Sequence, residues 1–289
     1  MNLYLNEYKN YLCDIKRVSD NTFDSYIRDI EFFLSYKNSK SIPTQKDFDD
    51  YIAHLYSCGK GASTILRTSS SIKSYYNYLY SQNKIGFTLK TSVKAKKQEY
   101  TPVVLSESEI ELLLDAPERD TLKGIRDRAI LEVFYATGIK VSELISLKTE
   151  DCYLKLNYLV LHTNSSERIL PIYDRAAHSL SLYIDKARKY IDNGTSSALF
   201  LNLNGSKLTR QGIWKIIKSY AGSIKPGIEI TPEIIRNSFA IHLIENGAQS
   251  SDLQEIMGLG DLSSANRYTE LFKSRFAKKY NKFHPMAKK

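Results

Sequence analysis

The chain has 289 residues, enough for two ordinary domains with real cores, and its 42% hydrophobic and 25% charged content excludes a disordered protein. No stretch reaches the roughly 18 consecutive apolar residues of a membrane helix, and the first residues lack the basic start and apolar core of a secretory leader. The net charge of +9 points to a polyanionic partner. The widely spaced Cys13, Cys58 and Cys152 argue against a disulfide framework or a zinc site and fit a reducing cytoplasm.

Residues 1–83 read as a helical unit. From Asn2 to Lys16, Leu3, Leu5, Tyr8, Tyr11, Leu12 and Ile15 fall at nearly helical spacing. Ser19 to Thr22 offers caps for a second helix with Phe23, Tyr26, Ile27, Ile30, Phe33 and Leu34 on one face. Pro43-Thr44 opens a third helix, closed by Cys58-Gly59-Lys60-Gly61. A fourth buries Ile65, Ile72, Tyr75, Tyr76 and Leu79. Four short helices with polar connections make a compact all-α domain.

Residues 84–102 lack periodicity and read as a basic linker. Lys84, Lys90, Lys94, Lys96 and Lys97 are strung along it with no acidic residue before Glu99, which suits either a solvated connector or a segment that tracks phosphates. The second domain, 103–289, starts where Ser106 stands close before Glu107 and Glu109, a helix-start signal. Its first helices carry Ile110, Leu112 and Leu113, then the apolar run from Ile125 to Tyr135. Two β-prone runs, Tyr158 to His162 and Arg168 to Ile172, flank Thr163-Asn164-Ser165-Ser166 and predict a hairpin. Helical patterning returns from Ala176 to Ile191 and after Thr209. The fold class expected is mainly α, of α+β type, with a small antiparallel sheet in the second domain.

Separate phrases along the chain carry a resemblance. They are Ala-Thr-Gly-Ile-Lys-Val-Ser-Glu-Leu (136 to 144), Thr-Pro-Glu-Ile-Ile-Arg-Asn-Ser-Phe-Ala-Ile-His-Leu-Ile (231 to 244) and Met-Gly-Leu-Gly-Asp-Leu-Ser-Ser-Ala-Asn-Arg-Tyr-Thr (257 to 269). In this order they resemble the tyrosine site-specific recombinases, and among these the bacterial Xer-type enzymes. The resemblance implies an N-terminal SAM-like core-binding domain, a C-terminal catalytic-type domain, double-stranded DNA as partner and no cofactor or metal. The segment with Lys273, Arg275, Lys278 and Lys279, and with Phe272 and Phe276 on one stripe, is similar to the family's subunit-bridging helix. It implies a homo- or hetero-tetramer on DNA with a related recombinase; packing onto its own domain is the alternative.

The family's chemistry uses a tyrosine to attack a scissile phosphate, giving a 3′-phosphotyrosyl link and a 5′-hydroxyl. Fixed cations neutralise the phosphate oxygens, a base takes the phenol proton and an acid protonates the leaving oxygen. Two arginines, a hairpin lysine, two histidines and the tyrosine fill these roles. Carried over position by position, Tyr268 stands in the nucleophile's place and Arg236 in the second arginine's. Lys140 stands in the first arginine's place, keeping the charge but losing the bidentate fork. Thr163 aligns with the hairpin lysine, and His162 is the nearest substitute, or else a satisfied strand-end histidine. Glu233 replaces the first histidine and would either repel the phosphate or occupy the fork of Arg236. Leu259 replaces the second histidine and can donate nothing.

Expected DNA contacts are Arg67 and Lys73 on the fourth helix, the linker residues Lys94, Lys96 and Lys97, and Thr209, Arg210, Lys215 and Lys218 at a helix start. Lys73 and Lys218 equally suit ordinary surface lysines. Three functions remain open: a DNA-binding member of the family with strand cleavage lost or severely impaired, an active recombinase with an altered site, and a protein-interaction module that no longer binds DNA.

Overall fold

The computed structural model describes residues 4–37, 42–90, 102–163, 167–222, 224–225 and 227–288. It divides into two compact units, Met1–Tyr100 and Thr101–Lys289. Lys94, Lys96, Lys97 and the turn residues 164–166 lie outside the described residues, as do the side chains of Lys278 and Lys279.

The first unit holds α1 (Leu5–Asn10), which runs on as a π-helical turn over Tyr11–Ile15, then α2 (Asp20–Lys37), α3 (Gln45–Ser57) and α4 (Ala62–Ser81). Thr44 caps α3 through a reciprocal box: its hydroxyl accepts the Asp47 N–H, and the Asp47 carboxylate accepts the Thr44 N–H at 2.6 Å. Tyr8, Leu12, Ile30, Phe33, Phe48, Ile65, Ile72, Tyr75, Tyr76 and Leu79 form its core. Tyr76 reaches out of that core to donate to the Pro43 carbonyl at 2.9 Å, which satisfies its hydroxyl. Ile15 departs from the expected stripe. The widened π turn rotates it off the buried face, and it is 74% exposed.

The stretch read as the start of a linker packs back onto the first unit. Leu89 is buried in its core, Phe87 lies against Tyr76, and Gln45 brackets Lys90 with hydrogen bonds of 2.9 and 3.1 Å to its N–H and carbonyl. Two apolar residues with no helical period carried no signal of this packing.

The second unit opens with α5 (Glu107–Asp115), capped by the Ser106–Glu109 box, and α6 (Leu122–Thr137). A short α7 (Val141–Leu144) leads to β1 (Cys152–Tyr153), β2 (Tyr158–His162) and β3 (Glu167–Pro171). The three strands form an antiparallel sheet in sequential order, with Val160 opposite Ile169 and His162 opposite Glu167. Leu159, Leu161 and Leu170 point into the core while Ile169 faces out, the alternation a half-buried sheet requires. Then follow α8 (Asp174–Leu182), a π turn over Tyr183–Arg188, α9 (Lys189–Ile191), α10 (Arg210–Ala221), α11 (Pro232–Glu245), α12 (Ser250–Met257) and α13 (Leu262–Phe283). Leu112 is 58% exposed on α5, away from the buried face that holds Ile110 and Leu113. Among the described residues no helix is long and apolar enough to cross a membrane.

Helices α6 and α11 are buried on nearly every face and form the centre of the second unit. A fully buried α6 must also bury its polar residues, so these come paired. Asp127, with no exposed surface, accepts from Arg126 Nε and Nη2 at 2.8 and 2.6 Å and from the Tyr220 hydroxyl at 2.8 Å. Removing one member of such a pair strands the other's charge in a low dielectric. Asp127→Ala is therefore expected to destabilise the protein by about 3–5 kcal/mol, read as the shift in urea unfolding, with Asp127→Asn costing less.

Candidate active site

Arg236 sits one turn into α11. Thr231 caps that helix by accepting the Ile234 N–H at 3.2 Å, and Pro232 in the first turn carries no N–H to be left unpaired. The arginine is 6% exposed. Its Nη1 donates to the Gly138 carbonyl at 2.5 Å and its Nη2 to the Met257 carbonyl at 3.2 Å. One guanidinium thus ties α11 to the turn after α6 and to the end of α12. Both acceptors are neutral, so its charge stays available to an anion.

The turn it grips is built for close approach. Gly138 ends α6 in the left-handed region at φ 56°, and a Cβ there would lie 2.2 Å from the Phe239 ring. Lys140, two residues on, precedes α7. Its side chain is 56% exposed, its N–H donates to Glu143 Oε2 at 2.8 Å, and its Nζ stands 3.9 Å from Glu143 Oε1.

Glu143 also accepts from Arg168 Nη2 at 3.2 Å. Arg168 comes from β3, so this carboxylate joins the hairpin to the Lys140 turn. The Arg168 head lies against Gly258, the left-handed end of α12 at φ 59°. A Cβ at Gly258 would stand 1.4 Å from Arg168 Nη1. Neither Glu143 nor Arg168 was expected in the site. Glu143 stood inside the quoted Ser-Glu-Leu phrase, but alternation along β3 gave Arg168 no distinguishing mark.

Beyond Gly258, Leu259 packs in an apolar cluster with Phe239, Met257, Tyr135 and Tyr268. Tyr268 lies near the start of α13, which Asp261 caps by accepting the Ser264 N–H at 2.8 Å. Burial pushes the Tyr268 phenol above its ordinary pKa. The charge of Arg236 and a hydrogen bond from it pull the other way, while the Glu233 carboxylate adds to the rise. Arg236, Tyr268, Glu233 and Leu259 are therefore brought together. Glu233 itself is exposed and makes no ion pair with Arg236, whose fork is held instead by backbone carbonyls.

Thr163 is exposed at the end of β2. Its neighbour His162 stands between Asp151 at 3.3 Å and Glu167 at 2.9 Å, a histidine already engaged by two carboxylates. Thr209 caps α10, accepting the Gly212 N–H at 3.1 Å, and Arg210, Lys215 and Lys218 are exposed on that helix, Lys218 being 3.4 Å from Glu229. Arg67 and Lys73 are exposed on α4 of the first unit. Arg67 Nη1 pairs with the buried Asp29 at 2.5 Å, so part of its fork is spent inside its own domain. Among the described residues no group of three or more His, Cys, Asp or Glu side chains is placed to hold a metal.

With this geometry in place, comparison with known proteins is decisive about ancestry. Residues 103–275 match the Phage integrase family and residues 5–83 match the Phage integrase, N-terminal SAM-like domain. The chain belongs to the phage integrase family of tyrosine recombinases, a family of DNA recombination, and its relatives are of the Xer type. It is 36% identical over 296 residues to tyrosine recombinase XerD of Staphylococcus epidermidis, covering 99% of this chain and 100% of that one. It is 34% identical over 299 residues to tyrosine recombinase XerD of Listeria monocytogenes, with the same coverage. Among solved structures, the XerH site-specific recombinase bound to palindromic difH substrate, a post-cleavage complex, has a TM-score of 0.72 at 19% identity, covering 90% of this chain and 79% of that one. At that identity the likeness is one of fold.

Two outcomes follow from the site's packing. Because the Glu233 carboxylate helps raise the Tyr268 phenol, Glu233→Gln should lower the pKa of Tyr268, read by NMR titration of ring-labelled tyrosine with Tyr268→Phe to assign the signal. Because a methyl at Gly258 would displace the Arg168 head, Gly258→Ala and Arg168→Ala should each destabilise the protein. In a double-mutant cycle they should couple by about 0.5–3 kcal/mol rather than add.

Proposed function

We propose that this protein is a DNA-binding member of the tyrosine recombinase family whose strand cleavage is severely impaired. It would occupy a site on double-stranded DNA, bridge two sites, or pair with an active relative in a mixed tetramer. The observation that carries this reading is Leu259, which has no hydrogen-bonding group, on the same apolar cluster as Tyr268 beside a retained Arg236.

The binding half of the site persists. Arg236 carries a buried charge with no carboxylate on it, and Lys140 lies exposed on the turn that Arg236 holds, so both can face a phosphate. The chemical half does not. Cleavage needs the Tyr268 oxygen to lose its proton and bond to phosphorus while the 5′ oxygen leaves with a proton. Burial and Glu233 both oppose ionisation of the phenol. Leu259 offers no hydrogen bond to a phosphate oxygen, and one lost transition-state donor costs about 10²- to 10³-fold. Thr163 supplies no cationic acid for the leaving oxygen. On α13, Phe276 is 62% exposed while Phe272 packs inward, which suits a segment that presents one aromatic to another subunit.

A working recombinase with an altered site is the second reading. The contact between Arg236 and Tyr268, which favours the phenolate, speaks for it. Loss of DNA binding altogether is the third, and the net charge of +9 counts against it.

A nicked suicide DNA substrate separates the three. The expected result is no covalent protein–DNA product on a denaturing gel, together with duplex retention that weakens steeply with salt. A covalent product that disappears in Tyr268→Phe would make the second reading correct, and no retention even at low salt would leave the third. Restoring donors with Lys140→Arg, Glu233→His and Leu259→His together should recover measurable covalent product.

A further inference from the structure

Three arginines of the second unit converge on one cavity that the recombinase chemistry does not use. It has a volume of about 150 Å³, lies among the α5–α6 loop, α6 and α8, and is lined by Arg119, Arg128, Arg175 and His178, with Ile125 and Leu182 as its apolar wall. All three guanidinium groups donate to a single oxygen, Oδ1 of Asp115, at 3.2 Å from Arg119, 2.9 Å from Arg128 and 3.1 Å from Arg175. The second carboxylate in reach, Glu132, is fully buried. It accepts from Arg175 Nε at 2.6 Å and from the Tyr173 hydroxyl at 2.5 Å, and Arg128 Nη2 lies 3.8 Å from it.

Three guanidinium charges against two carboxylates leave one positive charge over. One donor is also unsatisfied: Nη1 of Arg128 is buried and meets no acceptor among the described residues. A buried charged donor without a partner is costly and calls for a ligand. An excess positive charge, an unmet guanidinium donor and a concave space larger than one water all specify an anion with several oxygens. A tetrahedral oxyanion suits donors arriving from different helices better than a planar carboxylate does.

We infer that the cavity of Arg119, Arg128 and Arg175 is a binding site for a phosphate group. The group is carried either by a free phosphorylated small molecule or by the DNA backbone. The site stands apart from the Arg236 cluster: α6 carries Arg128 in its first half and meets Gly138 at its end, about 15 Å further along the helix. The inference does not depend on the state of the cleavage chemistry.

Inorganic phosphate is the probe, titrated calorimetrically into the full chain against chloride at matched ionic strength. Saturable binding is expected, weakened about tenfold or more in the Arg119→Gln, Arg175→Gln double variant. Arg119→Gln alone, whose side chain is 73% exposed and therefore safe for folding, should show part of that loss. Phosphate held at Arg236 and Lys140 would respond to neither variant, so binding that is absent or unchanged in both overturns the proposal. The source is then read with duplex DNA. A DNA phosphate predicts that the double variant loses duplex affinity and that its salt slope falls by about one. A free ligand predicts unchanged duplex binding beside the lost phosphate titration.

Discussion

The site depends on one guanidinium bonded to two backbone carbonyls. Arg236 hydrogen-bonds to both the Gly138 turn and the end of α12, and so helps hold the backbone on which Lys140 and Leu259 stand. A buried arginine is tolerable because each hand of its fork has an acceptor. The same two bonds demand that Gly138 lack a side chain, since Phe239, on the next turn of the same helix, fills the space a Cβ would need. Two positions far apart in sequence, Arg236 and Gly138, are thus parts of one steric and electrostatic requirement.

A second tier supports this one. Glu143 binds the Lys140 turn and Arg168 together, and Arg168 in turn rests on Gly258. The hairpin, the α6–α7 turn and the α12–α13 turn are therefore coupled by charge and close contact in addition to apolar packing. This arrangement holds Arg236 and Lys140 in place independently of the residues at positions 163, 233 and 259. It also places a carboxylate, Glu233, where its field is felt by Tyr268 without neutralising Arg236.

Much of the fold was legible in the sequence, because it rests on local rules. The caps at Thr44, Ser106 and Thr209 are visible as hydroxyl residues before apolar runs, and the β2–β3 hairpin follows from two alternating segments about a polar turn. The misses came where tertiary packing overrode the pattern. A π turn rotated Ile15 to solvent, and Leu89 was drawn into a core from an aperiodic stretch. As candidates for the site, Tyr268, Arg236, Lys140, Glu233 and Leu259 were picked out by their flanking phrases. Arg168 was not, since its importance lies in which glycine it covers, a fact only the folded chain contains. The cluster of Arg119, Arg128 and Arg175 was hidden for the same reason, its members being drawn from the α5–α6 loop and two helices, α6 and α8.

The backbone acceptors of Arg236 have an evolutionary consequence. A cation anchored by side-chain partners is lost when those partners mutate, but a carbonyl cannot be substituted. Drift at positions 140, 163, 233 and 259 can therefore alter reactivity one residue at a time without releasing Arg236 from its place. Such a site can pass from cutting to holding by small steps, with a folded and charged frame at every stage.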